Sequence, residues 1–227
     1  MKYIIVGLGS FGASLGEKLT ALGHEVIGID CNMAKVDLYK ERLSHTIRID
    51  ATDEPTVSGL PLRDTDVIII AIGEDQGANI MATALFKNLR AKRLISRAIN
   101  SLHEKVLQAI GVDEIVHPEE ETAERWAKKL CMTDVVDSFD LGGDFSIIEV
   151  RVPDAMVGKR IEEVGFRKKF NLLVLTTIVR REVEAAVGKT RTKSEVRGVA
   201  GPDDVLERDH ILVLFGSKRD LRQFTNR

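Results

Sequence analysis

An apolar run over Tyr3–Val6 leads into three closely spaced glycines, Gly7, Gly9 and Gly12, and a second apolar run ends 18 residues later at Asp30. This spacing predicts a buried strand, a tight glycine turn, a helix and a second strand that ends in a carboxylate. Such a unit places a pyrophosphate on the amide N–H groups at the helix N-terminus and a ribose 2′-hydroxyl on the carboxylate. The alternative is a glycine turn that only packs the helix against the strand. We favour nucleotide binding, because the strand, the helix and the distal acid all accompany the glycines.

Length and composition indicate a soluble protein. The chain has 227 residues, which is long for one typical domain and short for a two-domain dehydrogenase. The longest apolar stretch, Val67–Ile72, is far shorter than the roughly 20 residues that span a bilayer. The first residues already belong to the predicted strand, which argues against a signal peptide. We therefore expect a cytoplasmic protein that reaches the inner face of the cell membrane only through a partner.

Cysteine spacing and charge argue against several other classes of protein. Cys31 and Cys131 lie far apart with no C-x-x-C spacing, so we expect unpaired thiols rather than a zinc site or a disulfide framework. Residues 151–197 carry a net charge of +6, whereas residues 1–150 carry −8. The basic segment lacks the interleaved aromatic residues on which single-stranded nucleic acid stacks, so no nucleic-acid partner is expected. A solvated basic face is favoured over a site for an anion or an acidic partner.

Strand-like and helix-like segments alternate up to about residue 134. The predicted strands are Tyr3–Val6, Glu25–Ile29, Thr46–Ile49, Val67–Ala71, Arg93–Ser96 and Glu114–Val116. The predicted helices are Phe11–Leu22, Met33–Leu43, Glu54–Leu60, Gly77–Leu89, Leu102–Ile110 and Glu119–Leu130. Strands that alternate with helices of this length form a parallel sheet with both faces covered. The fold class is therefore α/β, with a Rossmann-like doubly wound parallel sheet over residues 1–134.

The pattern changes after this domain. We predict a linker over residues 135–143 and a small α+β domain over residues 144–227. Its predicted strands are Phe145–Val152, Leu172–Val179, Glu182–Val187 and His210–Phe215, and its predicted helices are Lys159–Val164 and Arg219–Phe224. A domain of this size is too small to be the substrate-binding half of a dehydrogenase.

The candidate site residues follow the predicted strands, because ligands bind at the carboxyl ends of the strands in an open parallel sheet. After the first strand these are Gly7, Gly9, Ser10, Phe11 and Gly12, and after the second they are Asp30 and Cys31. The third strand leads into Asp50, Ala51 and Thr52, and the fourth into Ala71, Ile72 and Gly73, with Asn79 on the next helix. The fifth is followed by Arg97, the only fixed cation expected at that rim.

Most of these residues also have a simpler explanation. Asp50 and Thr52 are equally suited to capping the helix that starts near Asp53. Gly73 suits an ordinary turn, and Arg97 suits a surface cation. Asp30 is more informative, since a carboxylate there would repel a 2′-phosphate and so favours NAD or ATP over NADP.

We find no convincing catalytic centre in the sequence. Hydride transfer needs an acid or base beside the substrate, usually His or Lys. Among the five histidines, His117 alone follows the carboxyl end of a predicted strand, and an ordinary loop residue is the favoured interpretation. No Ser/His/Asp set, Cys/His set or metal-ligand spacing is present. The sequence thus predicts a nucleotide site without an adjoining reaction site.

Several motifs taken together resemble one family. They are Gly7–Gly12, Gly28–Asp30, Asp50–Glu54, Ala71–Asp75 with Asn79, and Ile110–Glu119. In this order they resemble the regulator-of-potassium-conductance (RCK) family, and more narrowly the free-standing cytosolic gating subunits of Trk/Ktr-type potassium-uptake systems. The C-terminal part is similar to the small second domain of that family, so the resemblance covers the whole chain.

The resemblance implies a function without catalysis. Such subunits form dimers and octameric rings beneath an integral-membrane potassium-transporter subunit, and they bind ATP/ADP or NAD(H) in the Rossmann cleft. The resemblance also implies a divalent cation (Mg²⁺ or Ca²⁺) at the dimer interface on Glu119, for which an ordinary acid at a helix N-terminus is the favoured alternative. Cyclic di-AMP is a further ligand of the second domain in some relatives. Ser10 replaces a basic residue that often reads phosphates in this family, which weakens the expected discrimination of ATP from ADP.

Two other functions stay open on the sequence alone. One is a small NAD-dependent oxidoreductase that uses His117 or Arg97. The other is a nucleotide-responsive regulator of a different membrane transporter, which would share every local feature.

Overall fold

The computed structural model describes residues 1–131, 135–185 and 189–225. The chain divides into two compact units, Met1–Glu120 and Glu121–Arg227. No helix among the described residues combines the length and the apolar composition that a membrane span requires.

Unit 1 is built on a six-stranded parallel sheet. Its strands are β1 Lys2–Val6, β2 Glu25–Asp30, β3 His45–Arg48, β4 Val67–Ile70, β5 Leu94–Arg97 and β6 Glu114–Val116, in the order β3-β2-β1-β4-β5-β6. The helices between them are α1 Ser10–Ala21, α2 Met33–Tyr39, α3 Glu54–Ser58, α4 Gln76–Asn88 and α5 Ser101–Ile110, and α6 Pro118–Cys131 follows β6. The strand order reverses between β1 and β4, which creates the crevice where doubly wound folds bind ligands.

The central strands are buried on both faces. Along β4, Ile68 and Ile70 pack in one apolar cluster, and Val67 and Ile69 pack in the other. Burial of alternate residues on opposite faces explains why this strand is a continuous apolar run in the sequence.

Helix α2 ends at Tyr39, four residues before its predicted end. Leu43 is buried beyond the helix, where its side chain fills the space over Gly16 and Gly28. A Cβ on Gly28 would lie 2.6 Å from Leu43 Cδ1, so this apolar contact depends on the glycine. Leu43 therefore fits the apolar spacing of a helix because it packs in the core, although it lies beyond the end of α2.

Unit 2 contains a five-stranded antiparallel sheet. Its strands are β7 Val135–Asp140, β8 Phe145–Arg151, β9 Leu173–Ala185, β10 Lys189–Val196 and β11 His210–Ser217, in the order β10-β9-β11-β8-β7. Helices α7 Ile161–Val164 and α8 Lys218–Thr225 accompany it, with a short 3-10 helix over Asp154–Met156 and a π-helix over Phe166–Phe170. The buried core includes Ile148, Leu212 and Leu214, with Phe224 of α8 packed against Phe166.

Two predictions for this region need correction. The predicted linker over residues 135–143 is wrong for Val135–Asp140, because these residues form β7 and pair with β8. Val135 is buried, and the Asp140 carboxylate accepts a hydrogen bond from the Ser146 hydroxyl. The predicted strand Glu182–Val187 is not separate, since its described residues continue β9. Residues 132–134 and 186–188 lie outside the described part of the chain.

Candidate functional site

The glycine turn after β1 brings α1 against the sheet. Gly7 has φ +101°, which an L side chain rarely adopts, and its N–H donates to the Ile29 carbonyl at 2.7 Å. A Cβ on Gly12 would overlap the Gly7 carbonyl oxygen, so the first turn of α1 can approach only with glycine at this position. Gly9 immediately precedes α1, and the space around it is open. The first turn of α1 therefore lies directly against the glycine turn after β1.

Asp30 at the end of β2 is 8 % exposed and is held by main-chain donors. The Leu8 N–H donates to Oδ2 at 2.8 Å, and the Asn32 N–H donates to Oδ1 at 2.8 Å. Lys35 Nζ lies 4.0 Å from Oδ2. These contacts fix the carboxylate beside the glycine turn, which is the position predicted for it.

A cleft of about 370 Å³ opens along this edge of the sheet. Most of the predicted site residues line it, namely Gly7, Gly9, Ser10, Phe11, Asp30, Cys31, Asp50, Ala51, Thr52, Ala71, Ile72, Gly73, Arg97 and Glu119. The turns after five parallel strands and the start of α6 therefore converge on one cavity. Its volume falls in the range of small-molecule and cofactor sites.

Two predicted residues do not line the cleft. Gly12 lies behind the glycine turn and makes the close contact with Gly7 described above. Asn79 of α4 is fully buried, and its Nδ2 donates to the Ile72 carbonyl at 2.8 Å and to the Arg97 carbonyl at 3.2 Å. Its Oδ1 accepts from the Ser96 hydroxyl at 3.1 Å. Asn79 thus ties the ends of β4 and β5 together and has no atom left for a ligand.

The turn after β3 is closed by its own side chains. The N–H and hydroxyl of Thr52 donate to Asp50 Oδ1 at 2.9 and 2.7 Å. These two hydrogen bonds lower the pKa of Asp50 below its ordinary value. Helix α3 begins after Asp53, so the capping role considered for Asp50 and Thr52 is wrong. Both residues line the cleft.

Arg97 at the end of β5 lines the cleft. Its side chain is 16 % exposed, and its guanidinium forms an ion pair with the carboxylate of Glu119 in the first turn of α6. The guanidinium lies so close to Gly73 that a Cβ there would overlap it. Arg97 is therefore not the surface cation considered as its alternative. Gly73 has a packing role beyond that of a turn residue.

Several lining residues were missed by sequence reasoning. They are Val6, Ile29, Lys35, Ile49, Glu74, Asp75 and Ala78. Lys35 is a second cation at the rim, so the prediction that Arg97 is the only one is wrong. Asp75 is the N-cap of α4 and accepts from the Ala78 N–H at 2.9 Å. An Asp shortly before a helical pattern is a capping signal that would have identified it.

Metal binding is not favoured by the donor sets of the described residues. Glu119 is engaged by Arg97, and no group of three metal-type ligands lies around it in the described chain. Such a group does occur at Glu207, Asp209 and His210 of unit 2. There, the His210 imidazole is buried and its Nδ1 is already engaged, because it accepts from the Glu207 N–H at 3.3 Å.

The histidine considered for catalysis lies outside the cleft lining. His117 Nε2 is 3.7 Å from Glu104, and its Nδ1 is 3.8 Å from Glu120. His103 is 2 % exposed, and burial lowers the pKa of its imidazole. No histidine is among the described residues that line the cleft.

Comparison with known proteins decides the family. Residues 3–118 match the TrkA-N domain family, and they include β2 to β6, all of β1 except Lys2, the whole glycine turn and Asp30. The chain belongs to the TrkA-N family. This TrkA-N chain is 32 % identical over 226 residues to Ktr system potassium uptake protein C of Bacillus subtilis (strain 168), covering 100 % of the chain and 96 % of the relative. It is 29 % identical over 225 residues to Ktr system potassium uptake protein A of the same organism, covering 99 % and 96 %.

Solved structures agree on the fold of the TrkA-N chain. The crystal structure of the GsuK RCK domain is similar with a TM-score of 0.65 at 19 % identity, covering 99 % of this chain and 47 % of that one. The GsuK channel bound to NAD is similar with a TM-score of 0.62 at 20 % identity, covering 97 % and 38 %. The chain thus spans less than half of the GsuK protein. The predicted RCK resemblance and the predicted fold class are confirmed by these matches and those to the Ktr proteins.

Proposed function

We propose that this TrkA-N chain is a nucleotide-sensing regulatory subunit of a Trk/Ktr-type potassium-uptake system. The observation that carries the proposal is the single cleft that the start of α1 (Ser10 and Phe11) and the fixed carboxylate of Asp30 both line. Helix amides suit phosphate groups, and the carboxylate suits ribose hydroxyls. Whole-length similarity to two Ktr system potassium uptake proteins supports the transport system.

The ligand we propose is an adenine nucleotide, either ATP/ADP or NAD(H). Asp30 would accept from the ribose, and Asp50 and Thr52 lie beyond it for the base. The regulated partner is an integral-membrane potassium-transporter subunit, with this chain peripheral to the inner face of the cell membrane. A divalent cation on Glu119 would need further ligands from a second copy, and cyclic di-AMP in unit 2 stays a prediction.

Regulation would act through the assembly. A ligand shifts a two-state equilibrium only by its difference in affinity for the two states. Reversing a 1:99 population takes about 5.5 kcal/mol, which several sites of about 1 kcal/mol each in a homo-oligomeric ring would supply. We propose a dimer that assembles into an octameric ring of two shapes.

The oxidoreductase alternative lacks a supporting observation. His117 lies outside the cleft lining, and Arg97 is engaged by Glu119. His117 is not among the described residues that line the cleft, and arginine stays protonated and so cannot serve as an acid or base, which is why we do not propose this function.

Calorimetric titration of the purified chain with ATP, ADP, NADH and NAD⁺ tests the proposal. We expect micromolar binding of at least one of them, and about a tenfold or larger loss of affinity in Asp30→Ala, because the ribose loses a charged acceptor. Asp37→Ala is the matched control, since Asp37 is an exposed acid on α2 that does not line the cleft. Equal affinity of Asp30→Ala and the native chain would refute the cleft assignment.

The regulatory part needs a second measurement. We expect the binding nucleotides to change the particle size or shape in light or X-ray scattering, and to alter potassium flux when the chain is reconstituted with its transporter subunit. Binding without any change in assembly or flux would leave a nucleotide-binding protein but contradict a gating subunit.

A further inference from the structure

Both cations of the cleft are already paired with acids of the same chain. Among the described residues that line the cavity, five are acidic (Asp30, Asp50, Glu74, Asp75 and Glu119) and two are basic (Lys35 and Arg97). Lys35 Nζ lies 4.0 Å from Asp30 and 3.8 Å from Glu74, and Arg97 pairs with Glu119. A phosphate that binds at either cation must therefore displace an acid that stays nearby. The charge of this cleft disfavours each added phosphate.

The two cations meet different parts of a nucleotide. The strand order β2-β1-β4-β5 separates Asp30 from Arg97 by three inter-strand spacings, about 14 Å. With the ribose at Asp30, the first phosphate would lie over the glycine turn after β1, and later phosphates would extend towards β4 and β5. In such a pose Arg97 would be within reach of the terminal phosphate of a triphosphate and beyond the single phosphate of AMP.

Arg97 is the more buried member of its ion pair, and Glu119 is the more exposed one. The Arg97 guanidinium rests against Gly73, and its Nε is buried with no hydrogen-bond partner among the described residues. The Glu119 side chain is 65 % exposed and stands in the first turn of α6. A phosphate oxygen could replace the carboxylate at the guanidinium while Glu119 turns to solvent.

We propose that Glu119 is a specificity-determining residue that competes with the terminal phosphate for Arg97. The inference rests on the proposed nucleotide-binding function and concerns the same cleft. In this arrangement Glu119 lowers the affinity for ATP and leaves the affinity for AMP unchanged. The site then selects nucleotides by the number of phosphates beyond the glycine turn.

The test is calorimetric titration of AMP, ADP and ATP, in EDTA so that divalent cations do not mask phosphate charge. We expect Glu119→Gln to raise the affinity for ATP by about fivefold, because a partly desolvated competing charge is removed. The affinity for AMP should stay within about twofold of that of the native chain. The change in affinity for ADP should fall between the changes for AMP and ATP. Glu120→Gln is the matched control, since Glu120 is an acid of the same helical turn that does not line the cleft.

A second variant shows whether the gain in ATP affinity depends on Arg97. In an Arg97→Gln background, adding Glu119→Gln should no longer raise the affinity for ATP by more than about twofold. An equal gain for AMP and ATP in Glu119→Gln, or no gain for ATP, would overturn the competition while leaving nucleotide binding intact. A native chain that binds none of AMP, ADP, ATP or NAD⁺ would overturn the proposed function together with this inference.

Discussion

The two ends of the cleft are held by different kinds of contact. At the β2 end, Asp30 is buried and both of its carboxylate oxygens accept main-chain N–H groups, from Leu8 and Asn32. At the β5 end, the guanidinium of Arg97 meets the side chain of Glu119, which is mostly exposed. Main-chain donors stay in place whether or not a ligand is present, whereas a side-chain partner can be exchanged. The comparison suggests rigid recognition of the sugar and adjustable recognition of phosphate charge.

The largest effect is expected from disturbing the contact between α1 and the glycine turn, which lies between the two ends of the cleft. In Gly12→Ala, the new Cβ would overlap the Gly7 carbonyl oxygen, so α1 and the glycine turn must separate. We expect a loss of about 3 kcal/mol in the free energy of unfolding, measured by urea denaturation. Gly9→Ala is the control and should cost less than about 1 kcal/mol, because a Cβ on Gly9 meets nothing within 4 Å. Equal losses in the two variants would show that the close approach is unimportant.

A smaller effect is confined to the β4–β5 side. In Asn79→Ala, the carbonyls of Ile72 and Arg97 lose their buried amide donor, which we expect to cost about 2 kcal/mol of unfolding free energy. Asn32→Ala serves as the comparison, because Asn32 is an exposed N-cap whose loss should cost about 1 kcal/mol. If Asn79→Ala cost less unfolding free energy than Asn32→Ala in the same urea measurement, the hydrogen bonds of Asn79 between β4 and β5 would contribute little to stability.

The two ends also differ in how well sequence predicts them. The β2 end is contained within 30 residues, where glycine spacing and apolar runs determine local structure, and Asp30 lies where it was predicted. At the β5 end, the pair Arg97–Glu119 joins residues 22 positions apart, and no local pattern predicts such a pairing. Lys35 was missed because a lysine on a short helix gives no signal of the direction in which it reaches.

Tertiary contacts explain the other differences from the sequence predictions. Asn79 follows the end of a strand, as a ligand-binding residue would, but its Nδ2 donates to the main-chain carbonyls of Ile72 and Arg97. The segment Val135–Asp140 has no strong strand pattern, and its pairing with Phe145–Arg151 is what makes it a strand. In both cases the deciding interaction is a hydrogen-bond pairing, which hydrophobic periodicity does not report.

A third variant disturbs the β5 end alone. In Gly73→Ala, the Cβ would overlap the Arg97 guanidinium, which can move because it is the end of a flexible side chain. We expect a loss of only about 1 kcal/mol in unfolding free energy, AMP affinity within about twofold of the native chain, and weaker binding of ATP. Calorimetric titration with both nucleotides measures the difference.

The control for this variant is Gly59→Ala, at the C-cap of α3 and outside the cleft lining. It should leave the ratio of ATP to AMP affinity unchanged. If Gly73→Ala weakened AMP as much as ATP, the two ends of the cleft would not be separable, and the distinction between a rigid and an adjustable end would fail.

The smallest expected effect concerns pH, and it arises on α5, the helix that follows β5. His103 is buried, neither of its ring nitrogens has a hydrogen-bond partner among the described residues, and burial lowers its pKa. The unfolded chain therefore binds a proton at a higher pH than the folded chain does. The contribution of His103 to the unfolding free energy is fully present above the ordinary histidine pKa of about 6.5, and it decreases as the pH falls through that value towards the lowered one.

Urea unfolding at pH 7.5 and pH 5.5 checks this expectation. The unfolding free energy should fall less between the two pH values in His103→Gln than in the native chain, while His45→Gln, which alters an exposed histidine, should show the same fall as the native chain. The same pH dependence in all three proteins would show that His103 is solvated well enough to titrate normally, and the β5 side would then be adjustable in its phosphate contacts but not sensitive to pH.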